Sequence, residues 1–247
     1  MKTGVVTSVY NESLRLKEWI SFHKSIGFDH IIVIDDNSTD DTKDIINLLD
    51  VHQILGAEFG TYPVSNDPDS FGMTCGNDID RRLHFNYTKG LRYASSIGCD
   101  WVAFIDPDEF IVPKSFNNIH DSISHALKNN PITQRLHIPS FDFEGPFDLN
   151  KPILTQSFNR WSEQERNSYG FRRRCKSIVN VEAFYVSGVL CAHNVQDTIA
   201  VQTYGSIKAD FTILDNEENL LMIHHYRNPS LASHGFSDFD DSILKFV

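Results

Sequence analysis

A chain of 247 residues, 40% of them hydrophobic and 22% charged, can bury one substantial core and lacks the composition of a disordered segment. Its formal net charge of −11 excludes a general hold on nucleic acid, because phosphates repel such a surface, although a local basic site inside the acidic envelope stays compatible. The four scattered cysteines, Cys75, Cys99, Cys175 and Cys191, form no CxxC pair and make a poor zinc site. The start, Met1-Lys2-Thr3-Gly4-Val5-Val6, lacks a signal-peptide core, and no apolar run approaches the roughly 20 residues that cross a bilayer. The expectation is a cytoplasmic protein with reduced thiols and no transmembrane segment.

The first hundred residues alternate between two periodicities. Thr3 to Val9 is a β-branched run, and Leu16, Trp19, Ile20, His23 and Ile26 then share a helical face that Gly27 ends. His30 to Ile34 is a second apolar run, closing on Asp35-Asp36. Ser38 and Asp41 stand at capping-box spacing before a helix over 42–49 with Ile45, Ile46 and Leu49 inward. Ile54 to Phe59 is a third strand, Tyr62 to Asp78 a polar loop, Asp78 to Ile97 a long helix and Trp101 to Ile105 a buried strand. This repetition predicts an α/β fold: a mostly parallel central sheet with helices on both faces, and ligands at the carboxyl ends of its strands. Asp35-Asp36 and Asp106-Asp108-Glu109 fall at those ends. Farther on, Gln134–Pro139, Ser177–Val189 and Leu220–Tyr226 read as strands, and Asn117–Asn129 and Ser237–Phe246 as helices. Without an internal repeat or a clear linker, residues 1–247 are expected to form one domain with an elaborated C-terminal half.

Asp106-Pro107-Asp108 puts two carboxylates two residues apart on a turn that proline stiffens. Two hard oxygen ligands at that spacing suit Mg²⁺ or Mn²⁺ and leave coordination positions for diphosphate oxygens; the bland alternative is an acidic turn ending a strand. Arg172-Arg173-Arg174-Cys175-Lys176 is the dense basic run of an acidic chain. Arg174 and Lys176 are candidates to stabilise a departing diphosphate, the alternative being an exposed basic segment paired with surface carboxylates. Arg82, with Arg81 on the long helix, is a further diphosphate candidate, or a solvated helix arginine.

The segments Thr7-Ser8-Val9-Tyr10-Asn11-Glu12, Trp19-Ile20-Ser21-Phe22-His23, Gly27-Phe28-Asp29-His30 and Ile34-Asp35-Asp36-Asn37-Ser38-Thr39-Asp40 carry a resemblance. Trp101 to Phe110 continues it, and Lys176-Ser177-Ile178-Val179, His193 and His225-Tyr226-Arg227 extend it more weakly. The chain resembles family 2-like glycosyltransferases of the GT-A (Rossmann-like) fold, and most closely the family 92 type. The resemblance implies a nucleotide- and metal-binding half over residues 1–112 and an acceptor-binding half over 113–247. It implies an inverting transfer from a UDP- or GDP-sugar to a saccharide or glycoconjugate hydroxyl, with Mn²⁺ or Mg²⁺ as cofactor.

By the same resemblance, Thr7, Asn11 and Glu12 at the first strand end and Asp35 or Asp36 hold the nucleoside, though a plain helix cap is an alternative for Asn11-Glu12 and for one of the two aspartates. Asp106 and Asp108 hold the metal, with His193 as third ligand and His225 next in line; a lone histidine is also a common structural residue. The base that takes the acceptor proton is sought in Phe141-Asp142-Phe143-Glu144-Gly145, with Glu144 ahead of Asp142, where aromatic neighbours raise a carboxylate pKa; an ordinary loop acid is the alternative. A non-catalytic carbohydrate-binding protein on the same fold is a rival reading. A sugar-1-phosphate nucleotidyltransferase is disfavoured, because no glycine-rich phosphate loop follows the first strand.

Overall fold

The computed structural model describes residues 1–56, 78–144, 148, 151–156, 159–160, 175–182, 200–202, 220–226 and 238–239. In chain order these form β1 (Thr3–Val9), α1 (Ser13–Ser25), β2 (His30–Asp35), α2 (Thr42–Leu48), β3 (His52–Leu55), α3 (Asp78–Ser96) and β4 (Trp101–Phe104). There follow β5 (Glu109–Pro113), α4 (Ile119–Asn129), β6 (Arg135–Glu144), a short 3₁₀ turn (Ile153–Thr155) and β7 (Asn159–Arg160). The last strands are β8 (Cys175–Asn180), β9 (Ala200–Gln202), β10 (Leu221–Tyr226) and β11 (Asp238–Phe239).

The first half is the parallel sheet that the alternation predicts. β3, β2, β1 and β4 lie side by side and parallel, with Val9 opposite Asp35 at the strand ends. Successive residues point to opposite faces, and each face has its own apolar layer. Val5, Val9, Ile31, Val33, Trp101 and Ala103 pack with α1, α2 and α4; Val6, Ile32, Ile34, Val102 and Phe104 pack with α3. Both faces of these strands are covered, which accounts for their unbroken apolar runs. Gly27, at φ +95°, ends the first helical segment as expected. Among the described residues no helix is long and apolar enough to cross a membrane.

Beyond β4 the sheet turns mixed. β8 pairs antiparallel with β4 and with β6, and β10 lies parallel to β6 and antiparallel to β5. This elaborated half differs from the sequence expectation in three places. The Phe141–Glu144 stretch is the end of β6 and not a loop, because its backbone is paired to β10 and β7. Asp238–Phe239 forms a strand against β7 where a helix over Ser237–Phe246 was expected. β8 closes at Asn180, shorter than the run to Val189; residues 183–189 lie outside the described set.

The expected capping box at Ser38 and Asp41 does not form. Ser38 is used differently: its Oγ accepts from the Asn11 N–H at 3.0 Å, and its own N–H donates to Asp35 Oδ1 at 3.0 Å. The β2–α2 loop and the first residue of α2 instead cap the start of α1. The Ser13 N–H donates to Asp40 Oδ2 and the Glu12 N–H to Thr42 Oγ1, at 3.2 and 2.9 Å. Two left-handed asparagines, Asn11 and Asn37, make these tight loops possible.

Candidate active site

The carboxyl end of β4 delivers Asp106 to a turn, and β5 begins at Glu109. The turn is closed from below: the Asp106 N–H donates to Glu109 Oε2 at 2.9 Å, and the Glu109 N–H to the Asp106 carbonyl at 3.1 Å. Trp19 of α1 ties the same point to the helix layer, its Nε1–H donating to the Glu109 carbonyl at 2.9 Å.

Asp106 is held on both oxygens. Tyr87, buried on α3, donates its hydroxyl to Oδ1 at 2.9 Å, and Lys176 of β8 reaches Oδ2 at 2.7 Å. Lys176 Nζ also lies 3.1 Å from Glu109 Oε2. Burial favours a neutral amine at Lys176, but the Asp106 and Glu109 carboxylates win and hold it firmly protonated. Burial raises Glu109, with Lys176 opposing. Tyr87 is raised by burial and by the neighbouring Asp106, so its proton stays in place as a donor.

Asp108, the second acid of the turn, faces a different partner. His225 Nε2 stands 3.3 Å from Asp108 Oδ2, and the Asp108 carbonyl accepts from the Tyr226 N–H at 2.9 Å. His225 Nδ1 is 3.0 Å from Asp142 Oδ1 and 3.9 Å from Glu109 Oε1. Burial disfavours an imidazolium here, yet the Asp108 and Asp142 carboxylates outweigh it and push the pKa up to about 10. Four carboxylates (Asp106, Asp108, Glu109, Asp142) thus meet two cations, a local excess of negative charge that suits a divalent ion. Glu12 lies close enough for Asp108 to reinforce the rise that burial causes in its pKa, with its own ion pair to Arg15 opposing. Among the described residues, no three His, Cys, Asp or Glu side chains form a complete metal cage. Asp108 and His225 Nε2, once a cation displaces the ring proton, are the pair whose donor chemistry could hold Mn²⁺ or Mg²⁺.

The remaining expected residues divide by position. Thr7 is enclosed within β1, and its Oγ1 finds no partner among the described residues. Asn11 spends its Oδ1 on the Thr39 and Asp40 N–H groups at 2.8 and 3.3 Å, so it braces the loop. Asp35 is buried and accepts from the Ser38 N–H, a bond within the turn and not the helix cap given as the alternative for one of the two aspartates, whereas Asp36 is half-buried at the loop mouth beside Gly56. Lys176 is brought to the site, but underneath it. The backbone of Arg82 lies in α3 and that of Glu144 ends β6, with their side chains outside the described set, as are Arg174 and His193 altogether. Sequence reasoning missed Tyr87; the available signal was its place on the α3 face shared with Gly90, Leu91 and Ala94, which packs on the strand bearing Asp106.

Comparison with known proteins places this geometry in a family. The model of Glycosyltransferase family 92 matches residues 79–246, and that of Glycosyl transferase family 2 matches residues 4–54. A glycosyltransferase family 92 protein of Ricinus communis is 24% identical over 230 residues, covering 90% of this chain and 35% of its own length. One from Oryza sativa subsp. japonica is 23% identical over 225 residues, covering 90% and 32%. The chain therefore spans about a third of the length of these relatives. Glucosyl-3-phosphoglycerate synthase from Mycobacterium tuberculosis, solved with Mn²⁺, uridine-diphosphate and phosphoglyceric acid, is a loose structural likeness. It is 14% identical, with a TM-score of 0.36 over 74% of this chain and 57% of that one. The family 92 match covers well over half of the residues, so the chain belongs to glycosyltransferase family 92.

Proposed function

We propose that this chain is the transferring domain of a metal-dependent glycosyltransferase, moving a sugar from a UDP- or GDP-sugar to a hydroxyl of a saccharide or glycoconjugate, with inversion. The observation that carries the reading is the Asp108–His225 pair, 3.3 Å apart where the parallel half of the sheet ends, inside a cluster with excess negative charge. Family membership supports the reaction class. The binding of Mn²⁺ and uridine-diphosphate named for the mycobacterial synthase is compatible with the cofactor and donor, without bearing weight.

The residues divide the work. Asp108 and His225 would hold the Mn²⁺ or Mg²⁺, whose charge neutralises the donor diphosphate. Asp36, at the mouth of the β2–α2 loop, receives a hydroxyl or base N–H of the nucleoside, and Glu12 lines the same mouth. Lys176 does not touch the donor in this reading; it fixes Asp106 from below, and Arg174 is the basic residue assigned to the leaving diphosphate. Glu144 takes the acceptor proton as general base.

The test is Asp108→Asn, which keeps the side-chain volume and removes the charge. Mn²⁺-dependent donor hydrolysis and sugar transfer should disappear while the far-ultraviolet circular dichroism stays that of the wild type. Full activity in that variant, or in the wild type with excess chelator, rules the reading out.

A further inference from the structure

Asp142 has a place in the sheet that a proton-abstracting base would not need. His225 is flanked in register on both sides: Asp142 stands opposite it on parallel β6, and Glu109 opposite it on antiparallel β5. Directly paired residues project from the same face of a sheet, so the three side chains form one row, carboxylate, imidazole, carboxylate. Asp142 is 3% exposed and Glu109 equally enclosed, and Nδ1 of His225, buried and without an aligned hydrogen bond, lies on the Asp142 side at 3.0 Å. The other ring nitrogen, Nε2, is consequently turned to Asp108 at 3.3 Å.

We propose that Asp142 is a positioning residue for the metal site: when a divalent cation binds, its carboxylate accepts a hydrogen bond from the Nδ1–H of His225, fixes the ring, and leaves the Nε2 lone pair to the cation shared with Asp108. This rests on the reading of Asp108 and His225 as metal ligands. A carboxylate behind a ligating imidazole does two things at once. It selects the tautomer with its proton on Nδ1, and it raises the electron density at the nitrogen that binds. Three features favour this role over that of base. Asp142 is buried on a paired strand and not on a mobile loop. It already faces the His225 ring at 3.0 Å. And the row is fixed by backbone register, so its geometry does not depend on a substrate being bound.

The test uses Mn²⁺ alone as the probe, with affinity read by calorimetry and the ligand set by electron spin echo of the bound ion. In the wild type the echo should carry the modulation of one directly bound imidazole nitrogen, absent in His225→Gln. Asp142→Asn should weaken Mn²⁺ binding by about 10- to 100-fold. The double variant should bind no worse than His225→Gln, because one residue acts through the other. Losses that add, unaltered affinity in Asp142→Asn, or no bound nitrogen in the wild type overturn the proposal. Should Asp142→Asn fail to fold, proton–nitrogen spectra of the Zn²⁺-loaded wild type decide. A proton retained on Nδ1 of His225 supports the row, and one on Nε2 overturns it. Since no sugar transfer is measured, a chain that binds Mn²⁺ this way yet transfers nothing would defeat the proposed function and leave this inference standing.

Discussion

Lys176 Nζ lies 2.7 Å from Asp106 Oδ2 and 3.1 Å from Glu109 Oε2, with 1% of its side chain exposed. A cation this enclosed is stable only because both carboxylates face it, and the reverse holds for Glu109. Lys176→Met should therefore cost about 3–5 kcal/mol, since it strands a buried carboxylate. Lys176→Met combined with Glu109→Leu removes both buried charges and is expected to recover most of that loss. Urea unfolding of the wild type and the two variants checks this, and a double variant as unstable as the single one would show that shape, not charge, sets the cost.

Tyr87 holds the other oxygen of Asp106, through one hydrogen bond of 2.9 Å from the buried ring. Tyr87→Phe deletes the donor without opening a cavity. Because Asp106 is partly exposed and water can replace the hydroxyl, the stability loss should sit near the low end of the usual range, about 0.5–1 kcal/mol. A freed Asp106 carboxylate loosens the Asp106–Glu109 turn that presents Asp108, so Mn²⁺-dependent nucleotide binding should weaken severalfold even though the melting temperature hardly moves. Equal binding in wild type and variant would reduce Tyr87 to a packing residue.

The sequence makes some of this legible and hides the rest, for a physical reason. The strands β1, β2 and β4 and the helices between them announce themselves through local periodicity, and the Asp106–Asp108 turn follows from where β4 stops. The partners of that turn come from elsewhere. Lys176 arrives on β8, His225 on β10 and Asp142 on β6, and their meeting depends on antiparallel and parallel pairings between strands far apart in the chain. Periodicity assigns a residue to a strand but says nothing of its neighbour across the sheet, so Asp142 reads as a base candidate until the register places it beside His225. Ser38 fails differently: a capping spacing is a local signal, and the Asn11 loop, 27 residues away, claims its hydroxyl first.

His23 is the strongest handle on pH. It is fully buried, with its Nδ1–H donating to the Trp19 carbonyl at 2.8 Å and its Nε2 accepting the Ile111 N–H at 3.3 Å. Burial pushes its pKa down to about 3, with the Trp19 bond opposing. The unfolded chain protonates near the ordinary value of about 6.5, so His23 contributes full stability above that pH. As pH falls from about 6.5 toward 3, the unfolded state gains a proton that the folded state refuses. His23 alone should then remove about 1.4 kcal/mol per pH unit in the middle of this window. In His23→Asn the dependence of unfolding free energy on pH should be shallower by one proton over the same range. An identical slope in variant and wild type would mean that the buried ring takes up a proton without unfolding.

Gly90 poses a contest between two effects of known size. It lies inside α3, where alanine is favoured over glycine by about 1 kcal/mol in an open helix. Here a Cβ would come within 2.6 Å of Val6 Cγ1 and 3.1 Å of Ile34 Cδ1, both on fully buried side chains of adjacent parallel strands. Valine is stiff at χ1 and β1 is central in the sheet, so neither neighbour yields cheaply. Overpacking of this kind costs about 1–3 kcal/mol and should exceed the propensity gain. Gly90→Ala is therefore expected to lower stability by up to about 2 kcal/mol in urea unfolding. Since Tyr87 sits one turn earlier on the same helix, the variant should also weaken Mn²⁺-dependent nucleotide binding, by shifting α3 away from β1 and the Tyr87 hydroxyl away from Asp106. A variant more stable than the wild type would show that α3 can settle outward at no cost, and that its close approach to β1 is not what holds Tyr87 in place.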